Sequence, residues 1–360
     1  MKPERILITG GAGFIGSRLA ARLAAEGHRI WILDNLLAQV HGEHGRFPSI
    51  DGDVVCCLGD VADAEIVRQI VADAAPQRVF HLAADTGTGQ SFTELTRYCR
   101  TNVMGTATLL DALRELDPGL RRIVIASSRA VYGEGAYRTP SGRIVSPPPR
   151  REGDVRQGRF LPVFPEEPEI CPVPTPEWAS CEPSSVYGTT KLTQEQLARE
   201  IAMGTSWQVS ILRFQNVYGP GQALRNPYTG VLSLFSRRLL ADGDIDVFED
   251  GAITRDFVYV TDVVESLVLA GWVEPIDDQP INIGFGAGTT ILDAARQLAR
   301  LAGRAPEKIR ITGDYRVGDI RHAVADISRA RGVLGWQPKV DFATGARALI
   351  DWAHKHREDE

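Results

Sequence analysis

Tyr187 and Lys191 stand four residues apart in Tyr187-Gly188-Thr189-Thr190-Lys191, a spacing that puts a phenol and an ammonium one turn apart on one helix face. A phenol with an unperturbed pKa of about 10 is a poor base at neutral pH. A lysine cation beside it would stabilise the phenolate and lower that value. Upstream, Ala126-Ser127-Ser128 ends a strand-like run, where ligands collect in open parallel sheets. A Ser128 hydroxyl there can hydrogen-bond the substrate oxygen that Tyr187 deprotonates. A YxxxK pair alone is weak, because most are a partly buried tyrosine beside a solvated lysine. Its weight comes from what precedes it.

What precedes it is Thr9-Gly10-Gly11-Ala12-Gly13-Phe14-Ile15-Gly16, set between the apolar run Arg5–Ile8 and an amphipathic stretch, Ser17 to Glu26. A second apolar run, Arg29 to Leu33, ends in Asp34. Strand, glycine turn, helix, strand and acid make a dinucleotide-binding βαβ unit. Gly10 permits the tight turn, Gly13 admits a pyrophosphate, and Gly16 lets helix and strand pack closely. The free N–H groups and dipole of the helix start then face the phosphates. Asp34 would accept hydrogen bonds from the adenosine ribose hydroxyls and repel a 2′-phosphate, which favours NAD over NADP. The positive nicotinamide of NAD⁺ would join Lys191 in favouring a Tyr187 phenolate.

The rest of the chain supplies the supports. Val54–Leu58, Arg78–Leu82 and Ile123–Ser127 read as strands, with helices at Ala64–Ala74 and from about Thr93 to Leu116. Alternating strands and helices imply a parallel sheet covered on both faces. Residues 135–183 break the pattern with dense proline, and no helical period survives. That stretch reads as an ordered irregular excursion or a flexible flap. A helix from about Ser185 to Met203 and a strand, Gln208–Arg213, follow. From about Gly219 onward come helices near 231–241, 262–272, 290–302 and 343–356, with strands near 246–248 and 281–283. The expected fold is α/β, a Rossmann-type doubly wound parallel sheet with a smaller mixed α/β C-terminal substrate domain. The expected division is 1–218 for the nucleotide domain, with the insertion at 135–183, and 219–360 for the substrate domain, some segments returning to the large one.

Composition narrows the partners. A chain of 360 residues, 43% hydrophobic and 24% charged, is an ordinary globular protein. A formal net charge of −6 offers no basic field for nucleic acid or anionic membrane. Arg213, Arg237, Arg255, Arg316 and Arg321 recur in the C-terminal half, which suits local capture of a phosphorylated small molecule. A strand begins within a few residues of Met1, leaving no room for a signal peptide, and no apolar run approaches membrane-spanning length. Cys56, Cys57, Cys99, Cys171 and Cys181 are odd in number and irregularly spaced, as reduced intracellular thiols are. A cytoplasmic protein is expected.

With these motifs together, the chain resembles the extended short-chain dehydrogenase/reductase family over nearly its whole length. The resemblance rests further on Gly59-Asp60, His81-Leu82-Ala83-Ala84, Asn102 and Ser127-Ser128-Arg129-Ala130-Val131-Tyr132-Gly133. Leu212-Arg213-Phe214-Gln215-Asn216-Val217-Tyr218-Gly219-Pro220-Gly221, Arg255-Asp256-Phe257-Val258-Tyr259-Val260 and Arg316-Val317-Gly318-Asp319 complete it. It implies Ser128, Tyr187 and Lys191 as catalytic residues. It implies NAD contacts from Gly10, Gly13, Phe14, Ile15, Gly16, Asp34, Asn35, Asp60, Val61, Leu82, Ala83, Ala84, Asn102, Ser127, Tyr187, Lys191, Phe214 and Val217. A nucleotide-diphosphate sugar, dTDP-, UDP-, GDP- or ADP-linked, would then meet Ser128, Arg129, Asn216, Thr229, Val231, Leu232, Phe248, Arg255, Arg316 and Asp319. Asn216, Arg255 and Arg316 take its diphosphate in this scheme. Thr229 to Leu232 and Phe248 lie near its base.

Relatives that eliminate or decarboxylate carry a carboxylate just after the catalytic Ser/Thr, where this chain has Arg129 and Ala130. The remaining reaction is oxidation at C4 and return of the hydride to the opposite face, a 4-epimerase with Tyr187 as base. A 4-ketoreductase and a non-catalytic NAD-sensing protein are the alternatives. The Ser-Ser-Arg-Ala-Val-Tyr-Gly-Glu-Gly run is similar to a subgroup that includes dTDP-L-rhamnose 4-epimerases. That subgroup usually has four insertion cysteines in zinc-ribbon spacing. Here only Cys171 and Cys181 remain, so no structural zinc is expected. The insertion either packs across the sugar pocket as a metal-free lid, offering Tyr137, Phe160, Phe164 and Trp178, or is a surface excursion. The family's paired helices imply a homodimer that covers outward apolar residues such as Leu109 and Leu197.

Overall fold

The computed structural model describes residues 2–117, 119–223, 230–316 and 318–356. Its apolar runs form one sheet of seven strands: β1 (Arg5–Thr9), β2 (Arg29–Asp34), β3 (Val54–Leu58), β4 (Arg78–His81), β5 (Arg122–Ser128), β6 (Gln208–Phe214) and β7 (Ile281–Ile283). Their order is β7-β6-β5-β4-β1-β2-β3, and every neighbouring pair is parallel. Period-two side chains feed two cores. Ile6 and Ile8 face one side with Leu19 and Val124, while Leu7 faces the other with Val67 and Ile123. The sheet is thus Rossmann-like and doubly wound, its order reversing between β1 and β4.

The longer helices are α1 (Gly16–Ala25), α2 (Ala64–Ala74), α3 (Gly105–Leu116), α4 (Val186–Ala202), α5 (Val231–Leu240), α6 (Val260–Trp272), α7 (Ile291–Leu301), α8 (Ser328–Leu334) and α9 (Phe342–Lys355). α5, α7 and α9 enclose a separate small core with Ile245 and Val247. Residues beyond 219 also return to the main sheet: β7 pairs with β6, and Val263 and Leu267 of α6 enter its core. Among the described residues, no helix is long and apolar enough to cross a membrane.

The stretch expected as one helix from Thr93 to Leu116 is instead a short helix at Leu95–Tyr98, a π-helical turn at Cys99–Met104 and then α3. Asn102 accounts for the turn. Its carboxamide accepts from the Asp85 backbone N–H at 2.8 Å and donates to the Asp85 carbonyl at 3.1 Å and to Thr190 Oγ1 at 2.9 Å. Leu109, expected to face outward, is fully buried with Leu110 and Leu113 against the sheet, and Leu197 is half-buried against that same core. The outward apolar residues here are Phe92, Leu95 and Met104.

The proline-rich insertion is ordered. Tyr137–Arg138 pairs antiparallel with Ile144–Val145 and with Cys171–Pro172, and a one-turn helix spans Glu152–Arg156. Arg150, nearly all buried, anchors it through Glu134 Oε1 at 3.1 Å, Glu249 Oε1 at 2.8 Å and the Asp319 carbonyl at 2.6 Å.

α4 carries Tyr187 and Lys191, and a buried ion pair fixes it to the sheet. Glu195 on α4 accepts from Arg213 of β6 at 2.9 Å and 2.7 Å, and also from the Ser127 hydroxyl of β5. Arg213 donates onward to Tyr132 Oη at 2.8 Å, and Tyr132 donates to Asn282 Oδ1 of β7 at 2.8 Å. Glu195 and Arg213 are 1% and 4% exposed, so neither has water as a substitute partner. Removing one partner of such a pair strands the other charge, typically at about 3–5 kcal/mol. Glu195→Ala should therefore lower unfolding stability by roughly that amount, read from the denaturant midpoint. An unchanged midpoint would show that α4 is held by packing alone.

Candidate active site

A cleft of about 470 Å³ opens over the carboxyl ends of β1, β2, β4, β5 and β6, where ligands bind in open α/β sheets. Gly10, Gly13, Phe14, Ile15, Gly16, Asp34, Asn35, Val61, Leu82, Ala83, Ala84, Ser127, Ser128, Arg129, Tyr187, Lys191, Phe214, Asn216 and Val217 all line it. Gly10 has φ +68°, and a Cβ there would sit 2.7 Å from the Ala83 nitrogen. A Cβ on Gly16 would overlap the Gly10 carbonyl oxygen. The bare turn leaves room for a diphosphate over the start of α1.

Asp34 closes that end. Its carboxylate accepts from Ala12 N at 3.0 Å and from Leu36 N at 2.9 Å, with His41 Nε2 at 3.6 Å. Burial opposes its ionisation, but His41 and the two backbone donors hold its pKa below the usual carboxylate value. It is an anion that faces the cleft. These features fit a dinucleotide with an unphosphorylated adenosine ribose.

At the other end, α4 begins at Ser185, whose hydroxyl accepts from Gly188 N at 3.1 Å. That cap presents Tyr187 and Lys191 to the end of β5. Lys191 is 3% exposed and donates from Nζ to the Ala126 carbonyl at 2.8 Å. Burial pulls its pKa down to about 7, with Glu195 pulling the other way. Burial raises the Tyr187 pKa, and the Ser128 hydrogen bond and the Arg129 charge act against that rise. Ser128 Oγ accepts from Ala130 N at 3.2 Å, so its O–H is the donor toward the Tyr187 oxygen. Phenol, serine and lysine thus share one corner of the cleft, with Lys191 and Ser128 buried and Tyr187 partly exposed.

Several expected residues stand elsewhere. Asn102 is fully buried behind the cleft, its carboxamide already used to join Asp85 to Thr190 of α4. Asp60 is outside the lining and pairs with Arg100 at 3.2 Å. Arg255 is ion-paired with Asp319 at 2.6 Å, and the Arg316 guanidinium lies 5.0 Å from the Phe248 ring centre. Leu232 is buried in the small core and Val231 packs against it. Thr229 lies outside the described residues. Of the arginines read as phosphate-binding, Arg213 is bound to Glu195 and Arg321 to Glu249 and Asp250. Among the described residues, none of 135–183 lines the cleft, and no cluster of three or more His, Cys, Asp or Glu could hold a metal ion.

The cleft also holds residues that the motifs missed. Asp85 is locked by Arg97 Nε at 3.0 Å and Thr101 Oγ1 at 2.7 Å. Gln215 lines the cleft, and among the described residues neither its buried Oε1 nor Asn216 Oδ1 has a partner. Asp85 directly follows the expected His81–Ala84 strand end, which could have pointed to it. Gln215 had no signal beyond its place beside Asn216.

Comparison with known proteins gives these positions a context. The family model described as NAD dependent epimerase/dehydratase family matches residues 6–152 and 162–284. A dTDP-L-rhamnose 4-epimerase of Burkholderia thailandensis is 41% identical, the match covering 97% of this chain and 94% of that protein. A UDP-glucose 4-epimerase of Mycolicibacterium smegmatis is 32% identical over 97% of this chain and 98% of that one. The solved UDP-glucose 4-epimerase of Thermotoga maritima, with UDP-glucose, superposes with a TM-score of 0.79 at 29% identity, covering 98% and 99% of the two chains. The UDP-glucose 4-epimerase of Thermus thermophilus, in complex with NAD, gives 0.76 at 28% identity, covering 97% and 98%.

Asp34 generates a direct test. Asp34→Ala should weaken NAD binding by about tenfold or more, the scale of a lost charge-assisted hydrogen bond, and narrow the preference over NADP. Titration of both dinucleotides into wild type and variant checks this. An unchanged preference would remove Asp34 from cofactor choice.

Proposed function

We propose that this chain, which belongs to the NAD dependent epimerase/dehydratase family, inverts C4 of a nucleotide-diphosphate sugar through a 4-keto intermediate, with Tyr187 as base. The carboxylates of the cleft carry this reading. Asp34 sits at the ribose end, and Asp85 is held by Arg97 and Thr101. Glu134, the nearest acid after Ser128 in the chain, is taken by Arg150 and the Arg321 N–H. Among the described residues no carboxylate is free beside Tyr187 to drive elimination across C5–C6, so proton transfer at O4 is the chemistry left.

NAD, when bound, supplies the hydride acceptor and donor, and its positively charged ring adds to the field on Tyr187. The glycine turn, Asp34 and Lys191 would hold it. The Tyr187 phenolate takes the C4 hydroxyl proton as the hydride leaves C4, while Ser128 donates to that same oxygen. The keto sugar then turns over within the cleft. Tyr187 returns the proton to O4 as the hydride comes back to the opposite face, so the cycle closes with no outside reductant. Asn216, Arg255 and Arg316 would hold the diphosphate, Arg255 exchanging Asp319 for it. Thr229, Val231, Leu232 and Phe248 would lie along the base.

The names of the relatives put dTDP-L-rhamnose and UDP-glucose first among substrates to try. The enzyme is assigned to the cytoplasm, consistent with five free cysteines. A homodimer would cover Phe92, Leu95 and Met104, which are 53%, 54% and 57% exposed.

Incubation with a panel of dTDP-, UDP-, GDP- and ADP-sugars without added cofactor, read by NMR, should yield a C4 epimer. Tyr187→Phe should keep nucleotide binding and lose about 10²–10⁴-fold in turnover, the usual worth of a general base. Near-native turnover in that variant, or release of a stoichiometric reduced or dehydrated product, would contradict the proposal.

A further inference from the structure

The proline-rich insertion is ordered, yet none of its described residues lines the cleft. The cycle above leaves it without a task. What it touches instead are the segments that carry Phe248, Arg316 and Asp319. Arg150, with its side chain 4% exposed, reaches across to both. Nε donates to Glu134 Oε1 at 3.1 Å, Nη1 to Glu249 Oε1 at 2.8 Å and Nη2 to the Asp319 carbonyl at 2.6 Å. Nη1 also donates to the Phe160 carbonyl at 3.0 Å, which ties the fork back into the insertion. A planar guanidinium serves several acceptors in fixed directions, which an ammonium on a flexible stem does not reproduce.

Each contact falls beside a group that the proposed function gives to the nucleotide diphosphate. Glu249 follows Phe248 and stands at φ +54°, a left-handed conformation that a residue with a Cβ rarely adopts. Such a backbone persists where the surroundings over-determine it, and here they do. The Glu249 carboxylate, 1% exposed, accepts from Arg150 and from Arg321 at 2.8 Å each, and its backbone N–H donates to the Asp314 carbonyl at 2.7 Å. Asp319 takes Arg150 on its carbonyl and Arg255 on its carboxylate, both at 2.6 Å. The insertion holds the neighbourhood of Arg316 a second time through Tyr315. That hydroxyl donates to Glu152 Oε1 at 3.3 Å and accepts from Arg156 Nε at 3.4 Å.

We propose that Arg150 is a positioning residue for the nucleotide-diphosphate end of the substrate. From outside the cleft it fixes Phe248 relative to Arg316 and Asp319, so the insertion governs nucleotide affinity without touching the substrate. This rests on the reading that Phe248, Arg255 and Arg316 take the nucleotide. Tyr187 and Lys191 do not depend on Arg150, because they ride on α4, which the Glu195–Arg213 pair holds. The contribution therefore belongs to binding, shared by ground state and transition state, and its loss raises KM while kcat stays.

The test uses NAD-loaded enzyme, with calorimetric titration of UDP and dTDP and steady-state kinetics on the sugar of the panel that is turned over. Arg150→Lys keeps the cation that Glu134 and Glu249 need, so it should fold, but it loses the fork. The nucleotide Kd and the sugar KM should both rise by about three- to tenfold, the worth of one or two hydrogen bonds, with kcat unchanged. Arg143→Lys makes the same change at an ion pair internal to the insertion, with Glu166 and Glu167, and should leave both constants unmoved. Wild-type Kd and KM in Arg150→Lys would overturn the proposal. So would a fall in kcat at unchanged KM, an equal shift in Arg143→Lys, or failure of Arg150→Lys to fold. If wild type binds neither nucleotide and turns over no sugar of the panel, the nucleotide-sugar reading itself fails. If wild type binds and Arg150→Lys binds equally well, only the role of Arg150 fails.

Discussion

The contact between Glu195 and Arg213 constrains everything that the cleft can do. α4 carries Tyr187 and Lys191, β5 carries Ser127 and Ser128, and the two elements come from segments separated by the whole insertion. Helix-to-sheet packing by small and apolar side chains tolerates sliding, whereas a bidentate arginine–carboxylate pair in a dry interior does not. By also accepting from Ser127, Glu195 ties the helix to the strand end that presents Ser128. Tyr132 and Asn282 extend the same network to β7, so the edge of the sheet and the insertion are set by one polar core.

Desolvation follows from that anchoring. With α4 pinned to the sheet, Lys191 stays buried against the Ala126 carbonyl, while Tyr187 stands partly exposed on the wall of the cleft. Burial makes both charged forms costly: the Lys191 pKa falls to about 7 and that of Tyr187 rises. A phenol in this condition becomes a base only where positive charge is brought to it. On the proposed reading the site ionises when its cationic partners are in place, and the chemistry is confined to one oxygen because no free carboxylate stands nearby among the described residues.

The features that the sequence showed clearly are those imposed locally. The glycine turn was legible because Gly10 must take a positive φ and Gly16 must lie against a carbonyl. The alternating apolar runs gave the parallel sheet, and Tyr187 with Lys191 gave the helix face. What stayed hidden depends on partners far away in the chain. Arg213 and Arg321 looked like phosphate ligands until Glu195, Glu249 and Asp250 were seen to hold them. Asn102 looked like a cofactor contact, but Thr190 and Asp85 claim its carboxamide, and the π turn that results breaks the helix which its period suggested. Leu109 looked outward because helical period alone cannot tell which of two apolar stripes meets the sheet. The prolines of 135–183 gave the loss of helix but not the docking point, which Arg150 sets on Glu134, Glu249 and Asp319.

The central claim is that one hydride leaves C4 and returns to C4 within the same site. It is tested most directly with a nucleotide sugar carrying deuterium at C4, turned over in ordinary water without added dinucleotide. Return within the site predicts a C4 epimer that keeps the label at C4 with no wash-in of solvent hydrogen there. Loss of the deuterium to solvent, or its appearance on free dinucleotide alongside a released keto sugar, would contradict it.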